Sequence, residues 1–483
     1  LSITDRIGGR VETRGEQPSV HYTGGWRSDD QFSAAAREID TQLTSAGVLA
    51  GDPVGVYMRN RPGPVAALAV LLATSRPLIV LNPANPDETV GDVVRTLRPS
   101  AVLADPEEWT RDAVCQAVDA TGALGLSVDI RTDDSPSVRT ELPRRTIHEA
   151  SEGIGADVAI LMPTSGTTGP PKYIPLRRGN LERALETSQA HYMAGPQHGK
   201  PRGAGVQIVA VPSTNMSGLW SLITALSGGG RLLLQDKFEP QQWSGTVAEF
   251  KPKSVSLPPA ALRMILDAEI DQDRLASLVA VWAGAAPVGT DLALEFENKY
   301  DCPVLITYGA TEFAGAITGW SLADWNEWKH TKRGSVGRLH PGVEIGVLDP
   351  ESSRVLEPGE MGLLQVRSAQ VLGDSGQWLR TNDLGRIDED GFVWIHGRSD
   401  DVINRGGFKI FPSEVEDCLQ SHASVREAVV FGVDDRRLGE VPVAVVVTRD
   451  NAEPDDLIAF AKTRLAPYKV PVAVRVIDEI PRN

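Results

Sequence analysis

Cysteine is scarce in this chain: Cys115, Cys302 and Cys418 are the only three among 483 residues. They are odd in number, widely spaced and without a CxxC or HExxH partner motif. That argues against a disulfide framework or a zinc site and makes a reducing cytoplasm the expected compartment. Basic side chains are also in deficit. With 48 Lys and Arg against 64 Asp and Glu, the net charge of -16 argues against a general nucleic-acid or anionic-membrane surface. Any bound phosphate must therefore be held by local design. Long apolar runs are missing too: the amino-terminal LSITDRIGGR has no apolar core, and the run at 65–73 is too short to cross a bilayer. No targeting segment and no membrane span are expected, and no repeat or low-complexity tract stands out. What is present is a composition of 41% hydrophobic and 23% charged residues, enough for a sizeable core in more than one domain. The oligomeric state is left open.

From Gly51 onward, β-rich runs such as VGVYM (54–58) and PLIVLN (77–82) alternate with helix-like stretches such as VAALAVLLA (65–73), which predicts a layered α/β body. Runs at 205–212, 230–235, 277–284 and 303–309 read as further buried strands. After about residue 335 the text becomes VGRLHPGVEIGVLD, MGLLQVRS and GFVWIHG. These predict short antiparallel strands joined by Gly and Pro turns, a β-rich subdomain closing the body. Beyond Gly397, a helix at 413–422, strands at 427–433 and 442–448, and a helix at 455–465 predict a small α+β domain. The polar, glycine-rich 194–205 segment reads as a mobile loop.

Residues 161–176, LMPTSGTTGPPKYIPL, carry the strongest chemical signal. Gly166 and Gly169 allow backbone amides to approach oxygen closely, Thr164, Ser165, Thr167 and Thr168 offer hydroxyl donors, and Lys172 supplies a cation, a set suited to a triphosphate. A Ser/Thr/Gly surface turn is the plain alternative. A P-loop is a worse match, because the glycine spacing and the hydroxyl after lysine are missing.

TSGTTGPPK resembles the phosphate-loop signature of the adenylate-forming enzymes, a superfamily that includes acyl-CoA synthetases, amide-bond synthetases, peptide-synthetase adenylation domains and luciferases. The rest of the chain follows that resemblance in order. AGAAP, with Gly284, Ala285, Ala286 and Pro287, is similar to the turn lining adenine, and YGATE (308–312) to the nucleotide and magnesium motif. RTNDLG (380–385) is similar to the ribose motif, GRSDDVINRGGFKIFPSEVE (397–416) to the hinge signature, and PYKVP with IDEIPRN to the approach to a catalytic lysine.

The resemblance implies roles residue by residue. Tyr308 and Gly309 would face adenine, Thr311 the α-phosphate, Glu312 a magnesium ion, and Asp383 with Arg398 the ribose. Asp400 would be the hinge between an adenylation core (1–397, with the β-rich part at about 335–397) and a mobile domain (400–483); Gly406 and Gly407 would approach the acyl acceptor. The implied reaction is attack of a carboxylate on ATP to give an acyl-adenylate and pyrophosphate, followed by acyl transfer. Coenzyme A is the first expectation for the acceptor, an amine the second, a carrier-protein thiol the third.

The chain departs from the family pattern at several positions. Asn215 stands where many acyl-CoA synthetases carry a gating histidine or aromatic, Tyr173 replaces the glycine after the loop lysine, and Asn382 replaces a common glycine. The family's catalytic lysine is expected a few residues past Asn483, and Lys469 belongs to the separate PYKVP motif. Asn215, Trp220, Ala285, Ala310, Phe313, Ala314 and Gly315 are the expected pocket walls; with no cation among them, an apolar, aromatic or heteroaromatic monocarboxylate is favoured. A binding module, or an enzyme that only transfers preformed adenylates, is the rival class. A serine-hydrolase reading of GDSG (373–376) fails on its flanks, because Gln377 and Trp378 follow.

Overall fold

The computed structural model describes residues 2–132, 135–145, 154–155, 157–164, 172–192, 205–373, 376–450 and 452–480. The 194–205 segment read as a loop lies, but for residue 205, outside them.

A 7-stranded sheet forms the first layer. Its strands Ala101–Ala104, Val54–Tyr57, Leu78–Leu81 and Val158–Pro163 lie side by side in that order and run parallel. Val54–Tyr57 and Leu78–Leu81 are buried at every position, which is why they read as continuous apolar runs. The helix Pro62–Ala73 is apolar all round and sealed from Pro62 to Leu72, so it serves as an interior helix with proline in its first turn.

Two further sheets continue the body. Val206–Val209, Arg231–Leu234, Pro18–Tyr22 and Gly25–Ser28 form one; Ser254–Leu257, Ala280–Ala283, Val304–Ala310, Gly315–Gly319 and Arg338–Leu339 form the other. Asn60 ties the second sheet to the first. Its amide donates to the carbonyls of Val211 and Gln235 at 3.0 Å each, and its own oxygen accepts from the Ser213 amide at 3.2 Å. A carboxamide can do this with both ends at once, which explains a polar side chain only 3% exposed.

The strands Glu344–Leu348, Gly362–Arg367, Leu379–Ile387 and Val393–Arg398 make a 4-stranded antiparallel sheet, the expected closing layer. Arg338–Leu339 pairs instead with Gly315–Gly319, so the start of the VGRLHPG run belongs to the body. There Gly337 has φ +83, and a Cβ on it would overlap the Gly319 carbonyl. The C-terminal residues build a separate core around Ile403, Ile410, Val415, Leu419 and Val446, with the helices Pro412–Gln420 and Pro454–Lys462 packed on the long hairpin Val425–Asp435 and Gly439–Thr448. The architecture is thus a large multilayer α/β body with a small α+β domain after it. Among the described residues no helix is long and apolar enough to cross a membrane.

Candidate active site

Parallel strands leave their carboxyl ends and following turns free, and in α/β sheets ligands gather there. Thr164 and Lys172 stand at the open end of the hairpin Val158–Pro163 and Tyr173–Arg177. The Thr164 amide donates to the Lys172 carbonyl at 2.8 Å and so closes the end of the strand pair. Ser165, Gly166, Thr167, Thr168 and Gly169 lie outside the described residues. Tyr173 has a structural role: its hydroxyl donates to the Val80 carbonyl at 3.0 Å and fastens the returning strand to the sheet. Burial raises its pKa and keeps it a donor.

The strand Ala280–Ala283 delivers Gly284 against its neighbour, where a Cβ would stand 2.6 Å from the Thr307 hydroxyl oxygen. A side chain there would have to push the Thr307 hydroxyl aside. Ala285 then turns with φ +68, and Ala285, Ala286 and Pro287 are exposed.

Val304–Ala310 ends on Tyr308, Gly309 and Ala310, and Thr311–Phe313 forms a short 3-10 turn. The Tyr308 hydroxyl donates to Asp383 at 2.5 Å, joining residues 75 apart in sequence and linking the body to the β-rich sheet. Burial pushes the Asp383 carboxyl upward in pKa, opposed by the Tyr308 hydrogen bond and the Arg398 charge. Burial and the Asp383 charge together push the Tyr308 phenol upward, so it stays protonated as the donor. Glu312 is half-buried, and its carboxylate takes no hydrogen bond or ion pair among the described residues; only its backbone carbonyl is engaged, by the Leu372 amide at 3.0 Å. A partly buried carboxylate without a partner suits a cation.

Two expectations about the acid pocket need correcting. Phe313 is 1% exposed in a core with Ile317 and Val366, and Ala314 is fully sealed with φ +53, so both back the site and neither lines it. The left-handed turn at Ala314 and the φ of +138 at Gly315 swing these side chains inward. Gly315 does face an aromatic: its Cα side is covered by Trp220, 3.6 Å from where a Cβ would stand. Asn215 is exposed at the start of the helix Met216–Gly228, without a side-chain capping bond.

Arg398 stands opposite Asp383 in the strand register, yet its guanidinium grips Asp400 at 2.9 and 2.7 Å. It is therefore engaged by the residue expected to be the hinge, and Asn382 reaches the same carboxylate at 3.4 Å. Gly406 and Gly407 form the exposed turn before Phe408–Ile410, with φ of +58 and +89.

Among the described residues no group of three or more His, Cys, Asp or Glu could hold a metal alone. Glu312 by itself fits magnesium, which binds one or two carboxylates and takes its other ligands from substrate phosphates and water.

Sequence reasoning passed over Thr307 and a group behind it: His191, Tyr192, Trp282 and His340. His340 is 1% exposed, and burial pulls its pKa down to about 3. It is thus neutral in the native state, while the unfolded chain takes up a proton below about 6.5. The stability held here is complete above pH 6.5 and is lost as the pH falls toward 3. A thermal-midpoint series from pH 7 to 4 should fall less steeply for His340→Gln than for the parent; equal slopes would refute this.

The AMP-binding enzyme family model matches residues 9–373, and that of the AMP-binding enzyme C-terminal domain matches residues 414–483. The 2-succinylbenzoate–CoA ligase of Bacillus pumilus (strain SAFR-032) is 28% identical over 459 residues, covering 92% of this chain and 88% of the relative. Among solved structures, ATP-bound MatB from Rhodopseudomonas palustris superposes with a TM-score of 0.83 at 24% identity, covering 100% of this chain and 96% of the other. The amide bond synthetase McbA from Marinactinospora thermotolerans gives 0.81 at 24% identity, with the same coverage. At these identities the structural likenesses speak for the fold.

Proposed function

This chain belongs to the AMP-binding enzyme family, and on that footing we propose that it activates a monocarboxylic acid with ATP and transfers the acyl group to coenzyme A. In the first step a carboxylate oxygen attacks the α-phosphorus in line, the bond to the bridging oxygen breaks, and pyrophosphate leaves with that electron pair. In the second the thiol sulfur attacks the acyl carbon, AMP departs and a thioester forms. The half-buried carboxylate of Glu312, unpartnered among the described residues and beside Thr311 and a Tyr308–Asp383 pair at the strand ends, is the observation that carries this reading.

The protein's share is positioning and charge. Thr164, Lys172 and the residues between them would hold the phosphates, with the hydrogen bond between Thr164 and Lys172 closing the strand pair. Thr311 would donate to the α-phosphate. Magnesium would be held by Glu312 and would offset the charge that builds as pyrophosphate leaves. Tyr308 would lay its ring on adenine while its hydroxyl aims Asp383 at the ribose. The unit before residue 397 and the unit after 400 would turn about Asp400, which Arg398 and Asn382 hold in this arrangement.

Tyr308→Phe keeps the ring and removes the aim. The KM for ATP is expected to rise about tenfold, with a smaller change in kcat, and discrimination between ATP and 2′-deoxy-ATP should shrink. An unchanged KM would show that Asp383 needs no orienting.

One observation favours an amine as the second acceptor. Asn215 is exposed where the resemblance leads one to expect a gating histidine or aromatic. The deciding experiment measures pyrophosphate release over a panel of carboxylic acids, adds coenzyme A and amines separately, and identifies products by mass. A thioester supports the main reading and an amide the second. No pyrophosphate from any acid would sink both.

A further inference from the structure

A buried polar cluster stands next to the site without a role in the reaction above. At the last turn of the helix Arg178–Tyr192, His191 Nε2 donates to the Gly319 carbonyl at 2.8 Å. Tyr192 lies edge-on to Trp282 with ring centroids 4.4 Å apart, and its hydroxyl is 3.2 Å from His340 Nε2. A Cβ on Gly319 would overlap that hydroxyl, so glycine is what lets the phenol seat against the strand.

The cluster shares a sheet face with the site. Trp282 and Gly284 are two residues apart along one strand line, and Thr307 stands directly opposite Gly319 in the next pair; alternation and pairing put each couple on one face. Tyr192 touches Trp282 and overlies Gly319, so it covers the face that carries Thr307. Trp282, Gly284, Thr307 and Tyr192 all keep partial solvent access, whereas Ala283, Leu305 and His340 beside them are sealed at 1%, 0% and 1%. These residues follow one another along that face from the Gly284 turn, where the carboxylate would react, back to Tyr192.

We propose that Tyr192 is a specificity-determining residue that reads a hydrogen-bond acceptor on the far end of a planar aromatic or heteroaromatic acid; this rests on the acid-activation reading. Trp282 supplies an aromatic wall, and His340 is the positioning residue. Among the described residues, His340 Nδ1 is buried with no hydrogen-bond partner. A buried unpaired acceptor is tolerated better than an unpaired N–H, which assigns the ring proton to Nε2. Nε2 then donates to the Tyr192 oxygen, and among the described residues no acceptor takes the phenolic proton, which leaves it for a ligand. Burial keeps the imidazole neutral and the phenol protonated, the forms this arrangement needs.

The test uses isosteric acids that differ only at the tip: 4-acetylbenzoate against 4-isopropylbenzoate, and the two corresponding cinnamates, with pyrophosphate release as the readout. The parent should prefer the acetyl member of at least one pair by about tenfold or more in kcat/KM. Tyr192→Phe should bring that ratio close to one. His340→Gln should raise KM for the acetyl acid more than it lowers kcat. A parent that shows no preference in either pair overturns the proposal without any variant, and so does a Tyr192→Phe enzyme that keeps the parent's ratio. Turnover without discrimination defeats this inference alone, whereas no pyrophosphate from any acid defeats the acid-activation reading with it.

Discussion

Glu312→Gln is expected to slow pyrophosphate release by about 10²–10³-fold at saturating ATP and acid, the usual loss when one preset electrostatic partner of the transition state is removed. Glutamine keeps the size and one carbonyl oxygen but gives up the charge. Because the carboxylate has no hydrogen bond or ion pair among the described residues, its removal orphans none of their polar groups, and the fold should hold. The signature is a magnesium titration whose midpoint moves to higher concentration while the thermal midpoint stays put. Turnover within threefold of the parent, at an unchanged magnesium midpoint, would remove Glu312 from the site.

Gly337→Ala should be among the most damaging substitutions in the body. The φ of +83 alone charges an alanine with about 1–2 kcal/mol. The added methyl also overlaps the carbonyl of Gly319 and the Trp320 amide, backbone atoms that cannot swing aside, for roughly 1–3 kcal/mol more. Gly391→Ala separates the two effects: its φ is +81, but nothing lies within 4 Å of the new methyl. Inactivation half-lives at fixed temperature should therefore fall much further for Gly337→Ala than for Gly391→Ala. Equal half-lives would mean that the strand Gly315–Gly319 gives way without strain.

Much of the fold was legible because the first sheet's central strands are buried on both faces and others carry sealed apolar residues. The runs at 277–284 and 303–309 could hardly be anything else once Val281, Ala283 and Leu305 are sealed at 0–1%. Leu379–Ile387 was harder. Arg380, Thr381, Asn382 and Asp383 look like loop residues, and they form strand because the face away from water is supplied mainly by Leu384 and Gly385 further along. In the site, residue types were legible and pairings were not. Nothing local joins Tyr308 to Asp383, or Tyr192 to His340 at 148 residues' separation; sheet register does that. Phe313 and Ala314 were misread because a left-handed residue reverses which way its neighbours point, and that conformation has no signature when the residue is alanine.

Asn60 carries a consequence for how the chain is made. Its partners, Val211, Ser213 and Gln235, come 151, 153 and 175 residues later. At a synthesis rate of ~5–20 residues per second, the last of them follows roughly 10–35 s after Asn60 itself. Until then the carboxamide has only water to satisfy it, and the tie it makes to the second sheet cannot form, even after Val158–Pro163 and Tyr173–Arg177 have completed the first sheet. Loss of this side chain should therefore appear first as a poorer yield of newly made protein, well before any change in the turnover of molecules that have already folded.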